Sequence, residues 1–137
     1  MRQPSPVHET RIALTAEDYE TAVRFYRDVL GLPLLEEWND PSGGGVVLDA
    51  GRATIEVLSP GQAATVERIE IGGGRPEHVR VALRVDDSVS MADALESAGA
   101  ERLGGPVVTP WSHRNVRLRT PDGLQLTLFT AIEPEDG

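Results

Sequence analysis

Two stretches of the chain set an arginine at the same place in a similar pattern: RIALTAED at 11–18 and RVALRVDD at 80–87. Arg11 and Arg80 stand 69 residues apart. A guanidinium keeps its proton at any working pH and carries only donors. The pair can therefore bind a carboxylate, a phosphate or an enolate-like oxygen, but cannot coordinate a cation. Other chemistry is scarce. With no cysteine in the chain, thiolate metal sites, disulfides and a cysteine nucleophile are all excluded. Of the histidines, His78 shares strand parity with Arg80 but lies about 6.6 Å along the strand from it. His8 falls on the face opposite Arg11, and His113 belongs to a loop or strand end, where a solvated position is expected. The serine of VLSPGQ lies outside G-x-S-x-G. The glycine runs 43–45 and 72–74 lack the Lys-Ser/Thr ending of a phosphate loop and read as turns.

These side chains need a scaffold, and 137 residues at 39% hydrophobic content suffice for one packed domain or two small modules sharing a core. A formal net charge of −9, from 22 acidic and 13 basic residues, with no basic run, argues against a nucleic-acid partner. There is no apolar run of about 18 residues, which argues against a membrane partner. The first residues show no signal-peptide pattern, so a cytoplasmic protein is expected.

The patterning repeats one order of elements. A strand over 10–16 precedes a helix whose apolar stripe is Tyr19, Ala22, Val23, Tyr26, Val29 and Leu30, with Thr15 or Asp18 as cap and Gly31 as stop. Strands follow over 33–39, 46–49 and 53–58. The Pro- and Gly-flanked segment 59–77 reads as a surface connector, with a short strand at VERIEI. A strand over 78–85 then leads to a helix marked by Met91, Ala94, Leu95 and Ala98, capped by Asp87 or Ser88. Strands around 101–103, 115–119 and 124–129 complete the second unit. The reading is an α+β fold of two βαβββ modules around a shared cavity: module one 8–58, connector 59–77, module two 78–130 and a flexible tail 131–137.

FYRDVLGL, ATIEVL, VALRVDD and TPDGLQLTLF, spread over residues 8–130, resemble the vicinal oxygen chelate superfamily. It includes glyoxalase I, extradiol dioxygenases, methylmalonyl-CoA epimerase and the fosfomycin and bleomycin resistance proteins. In its metal-using members the first and last strand of each unit each give a ligand to a divalent cation. The resemblance places Arg11 and Arg80 at the first-strand positions and Glu56 and Thr127 at the last-strand ones. Of these four only Glu56 suits a cation, so neither a metal site nor another cofactor is expected. A site relocated onto the histidines is the lesser alternative.

The arginines can stand in for the charge of the ion. Either they clamp Glu56 in a buried ion-pair network, or one of them is left for a ligand. Glu56 is the candidate general base, with a pKa that flanking arginines would depress. If these four face inward, strand alternation turns Ala13, Thr15, Thr54, Leu58, Ala82, Arg84, Gln125 and Phe129 inward too. Gln125, with Trp38 and Trp111 as stacking surfaces, joins Arg11, Arg80, Glu56 and Thr127 as candidate ligand-binding residues. Tyr19, Phe25 and Tyr26 are expected in the core. The expected function is metal-independent binding and sequestration of a small molecule, as in the bleomycin-resistance branch. A metal-independent isomerase or lyase acting on a carboxylated metabolite is the alternative, and a metal-dependent glyoxalase or dioxygenase the least favoured. A homodimer is expected, because half-covered sheets leave apolar surface.

Overall fold

In the computed structural model, which describes residues 4–132, the chain runs β1 (Glu9–Thr15), α1 (Tyr19–Val23), β2 (Leu34–Asp40), β3 (Gly43–Asp49), β4 (Thr54–Leu58), α2 (Pro60–Ile71), β5 (Val79–Arg84), α3 (Ser88–Ser97), β6 (Glu101–Val108), β7 (His113–Arg119) and β8 (Gln125–Ala131). The fold is α+β, and the order βαβββ occurs on either side of α2. All the strands join one mixed sheet in the order β2-β3-β4-β1-β5-β8-β7-β6. The two units meet edge to edge within the chain: β1 pairs antiparallel with β5, Arg11 opposite Ala82 and Ala13 opposite Arg80. That register is a local twofold axis, which makes Arg11 and Arg80 equivalent. Glu56 of β4 lies opposite Ala13 and Thr127 of β8 opposite Ala82, so these two are equivalent as well. Directly opposed residues share a sheet face. All four side chains therefore project from one side.

The other side holds the core. Val46, Leu48 and Val57 pack with Val23 of α1, while Val116, Leu118, Leu126 and Leu128 pack with Ala92 of α3. Both α1 and α3 are started by an aspartate: Asp18 accepts from the Thr21 N–H, and Asp87 from those of Val89 and Ser90. Among the described residues no helix is long and apolar enough to cross a membrane.

Four sequence expectations change. The first helix does not continue to Leu30 as α-helix; Arg24–Val29 is π-helical, with the Leu30 N–H donating to the Phe25 carbonyl at 2.9 Å. The wider turn rotates later residues off the 3.6-residue stripe. Tyr26 still packs on the core, but Phe25, Val29 and Leu30 are exposed. Glycines 43–45 are strand residues rather than a turn, and two of them make room for aromatic rings: a Cβ on Gly45 would sit 2.1 Å from Trp38 Cζ2, and one on Gly44 3.0 Å from Tyr19 Cε2. The expected flexible tail begins too early, since Ala131 ends β8 and the Ile132 N–H donates to the Ser112 carbonyl at 2.9 Å. Its remainder, 133–137, lies outside the described residues.

The largest change is the connector. Residues 60–71 form a twelve-residue helix, α2, and not a surface run with a short strand. Ser59 caps it by accepting from the Gln62 N–H, Pro60 fits the first turn, where no N–H is needed, and Gly72 closes it in the left-handed conformation at φ 80°. Glu67 and Glu70 of this helix bond to Arg117 and Asn115, which lie opposite Thr127 and Phe129 in the β7–β8 register. Thus α2 crosses the same sheet face as the Arg11, Arg80, Glu56 and Thr127 quartet.

Candidate functional site

Between α2 and the sheet lies a cavity of about 470 Å³. Arg11, Glu56, Arg80 and Thr127 line its floor, and Trp38, Trp111 and Phe129 its sides. Six of the seven ligand-binding candidates thus come together. Gln125 is placed elsewhere. It faces the same side of the sheet, but α2 covers that region, and its Oε1 accepts from Arg117 Nη1 at 2.8 Å beside a second, water-sized pocket.

The two arginines differ in their partners. Arg11 is engaged: Nε donates to Glu9, Nη1 lies 3.5 Å from Glu56 Oε2, and its guanidinium carbon stands 5.4 Å from the Phe129 ring centre. His113 stacks on the same ring at 4.8 Å. Burial and the nearby Arg11 charge push the His113 pKa down, so the imidazole is neutral at neutral pH. Arg80 is buried and donates from Nη1 to Thr127 Oγ1 at 2.8 Å. Among the described residues no carboxylate lies within salt-bridge distance of it.

Glu56 departs from the expectation of a depressed pKa. Burial pushes it up, and this outweighs the opposing pull of Arg80 and Arg11, with Glu70 and Glu36 adding to the rise. The folded state therefore holds this proton more tightly than the unfolded chain, whose glutamates titrate near about 4.3. Stability from this group is present below that pH and is lost as pH rises through the folded pKa. Glu56→Gln keeps the shape without the charge. It should melt higher than the unaltered protein at about pH 7 and lose that advantage towards about pH 4, as followed by thermal denaturation across the range. A variant that melts lower at neutral pH would show that Arg11 and Arg80 need the carboxylate.

Behind the floor lies a network that the sequence reading missed. Arg117, only 1% exposed, donates to Glu70 Oε1 from Nη2 at 2.9 Å, pairs with Glu67 at 2.9 Å and reaches Thr127 Oγ1 at 3.1 Å. Thr127 in turn donates to Glu70 Oε1 at 3.2 Å. Its hydroxyl thereby joins Arg80 to the ion pairs that pin α2 to the sheet. A signal for this was present: Ser59 and Pro60 before the segment, Gly72 after it, and Ala63, Val66, Glu67 and Glu70 at helical spacing.

The divalent cation of the metal-using relatives does not suit this floor. It offers two guanidinium groups, one hydroxyl and one carboxylate, and among the described residues no three His, Asp or Glu converge as ligands.

Comparison with known proteins agrees with this architecture. The chain is 28% identical over 126 residues to the uncharacterized protein YraH of Bacillus subtilis (strain 168), covering 89% of this chain and 97% of that one. Its fold matches that of methylmalonyl-CoA epimerase from Mycobacterium tuberculosis with a TM-score of 0.68 at 22% identity, covering 97% and 94% of the two chains. A hypothetical protein from Bacillus halodurans C-125 matches with a TM-score of 0.67 at 18% identity, covering 93% and 96%. The sequence pattern of one family spans residues 10–128, both βαβββ units and the helix between them. With duplicated units, a shared cavity and that match in agreement, the chain belongs to the Glyoxalase/Bleomycin resistance protein/Dioxygenase superfamily.

Proposed function

We propose that this protein binds a small organic acid in the cavity without a metal ion, the acid group on Arg80 and the rest of the molecule against Trp38 and Trp111. Arg80 carries the reading: a buried guanidinium with a hydroxyl partner and, among the described residues, no carboxylate at salt-bridge distance has donors to spare in a cavity that admits an anion. Arg11, already held by Glu9 and Glu56, is less available. Sequestration of the ligand follows from binding alone. Proton transfer, as by an isomerase or lyase acting on a carboxylated metabolite, is the second reading. It rests on Glu56, whose raised pKa suits a general base. The epimerase among the similar structures supports it at the level of fold alone.

A panel of small carboxylic acids, screened by shift of melting temperature, tests the first reading. Arg80→Met should weaken the best ligand about 30-fold or more, a loss of about 2 kcal/mol. The fold should persist, since an apolar side chain tolerates this burial. Equal affinity in the variant, or no acid that binds, removes the proposal. Recovery of the ligand unchanged separates sequestration from catalysis, and a product whose formation stops in Glu56→Gln establishes the enzyme. The exposed Phe25, Val29, Leu30, Leu34 and Leu35 support a homodimer, which sedimentation velocity tests.

A further inference from the structure

One polar atom of a cavity-lining residue is left without a partner among the described residues. Asn115, 4% exposed, belongs to the cavity wall, and its Oδ1 is buried with no hydrogen-bond donor among the described residues. Its orientation is fixed by Glu70, whose Oε2 accepts from Asn115 Nδ2 at 3.1 Å. Reversing the amide would set two oxygens against each other, so the acceptor is the free end. The same Glu70 carboxylate accepts from Thr127, and Thr127 accepts from Arg80. The Asn115 amide and the Arg80 guanidinium are thus held by one carboxylate and one hydroxyl, at the same wall of the same cavity. One offers spare donors and the other a spare acceptor.

We infer that the ligand class is a 2-hydroxy carboxylic acid, its carboxylate on Arg80 and its hydroxyl donating to Asn115 Oδ1. This rests on the reading that Arg80 binds the acid. A carboxylate supplies acceptors only, so an acid without a second polar group leaves the Asn115 oxygen unpaired, and sites built around a hydroxyl discriminate against analogues lacking it. An ammonium in place of the hydroxyl would add a cation beside Arg80 and Arg117, which both reach the Thr127 hydroxyl.

The chain's two tryptophans both line the cavity, so their fluorescence reports binding. Titrations with (R)- and (S)-mandelate, phenylacetate and 2-methoxyphenylacetate isolate the hydroxyl, because phenylacetate lacks the oxygen and the methoxy acid lacks the donor. One mandelate enantiomer should bind about tenfold tighter than either analogue. Asn115→Leu should erase that preference and leave phenylacetate affinity within about twofold. Should this variant not fold, the comparison of the three acids on the unaltered protein decides. Equal affinity for mandelate and phenylacetate, or for mandelate and the methoxy acid, overturns the hydroxyl inference while leaving the acid-binding proposal in place. No binding of any of these acids, or phenylacetate affinity unchanged in Arg80→Met, overturns both.

Discussion

Arg117→Met is expected to cost the fold about 3–5 kcal/mol. A domain of this size is stable by only about 5–15 kcal/mol, and the corresponding fall in melting temperature is about 10–20 °C. The side chain lies at 1% exposure and satisfies Glu67, Glu70, Gln125 and Thr127 at once. Methionine fills much of the space but leaves two carboxylates, one helical turn apart, buried against the sheet with no cation on them. Restoring neutrality should recover most of the loss: Arg117→Met combined with Glu67→Gln and Glu70→Gln removes the charges together, and whole buried networks are often replaceable where single members are not. Urea denaturation followed by circular dichroism measures both. A single variant as stable as the unaltered protein would mean that these ion pairs do not hold α2.

Gly104→Ala is the second large effect, about 3 kcal/mol, arising from overpacking alone. A Cβ there would stand 2.3 Å from the Glu70 carbonyl oxygen and 3.0 Å from Ile71 Cα. Both are backbone atoms, so no side-chain rotation relieves the clash, and the end of α2 must lift from β6. That end carries Glu70, which reaches Arg80 through Thr127. The variant should therefore lose organic-acid affinity as well as stability, whereas Gly51→Ala, where a Cβ would meet nothing within 4 Å, should leave affinity unchanged. Its left-handed backbone at φ 86° limits the cost of that control to about 1–2 kcal/mol.

The fold was legible because strand alternation and the spacing of helix caps depend on near neighbours, and both units repeat them. The equivalence of Arg11 with Arg80 was visible in the repeated pattern RIALTAED and RVALRVDD, that of Glu56 with Thr127 came from the resemblance, and the β1–β5 register sets the same pairs about one axis. What escaped depends on distant partners. The buried face of α2 includes Gln62, Glu67 and Glu70 beside Ala63 and Val66. It does not look apolar, because its complement, Arg117, is 47 residues beyond Glu70. Gln125 illustrates the same limit: parity gives the correct side of the sheet but cannot say that a helix lies over it. The Glu56 pKa is a contest between burial and flanking charge, and only the charge is visible in a sequence.

A receptor assembled across a twofold axis would ordinarily admit a ligand equally well in two opposite directions. Here the axis that exchanges Arg11 with Arg80 also exchanges a carboxylate with a hydroxyl. At one pole the guanidinium already faces Glu56 at 3.5 Å; at the other it donates to Thr127, with no carboxylate at salt-bridge distance among the described residues. That inequality gives the two ends of the cavity different chemistry, so the proposed organic acid would have one favoured direction in it.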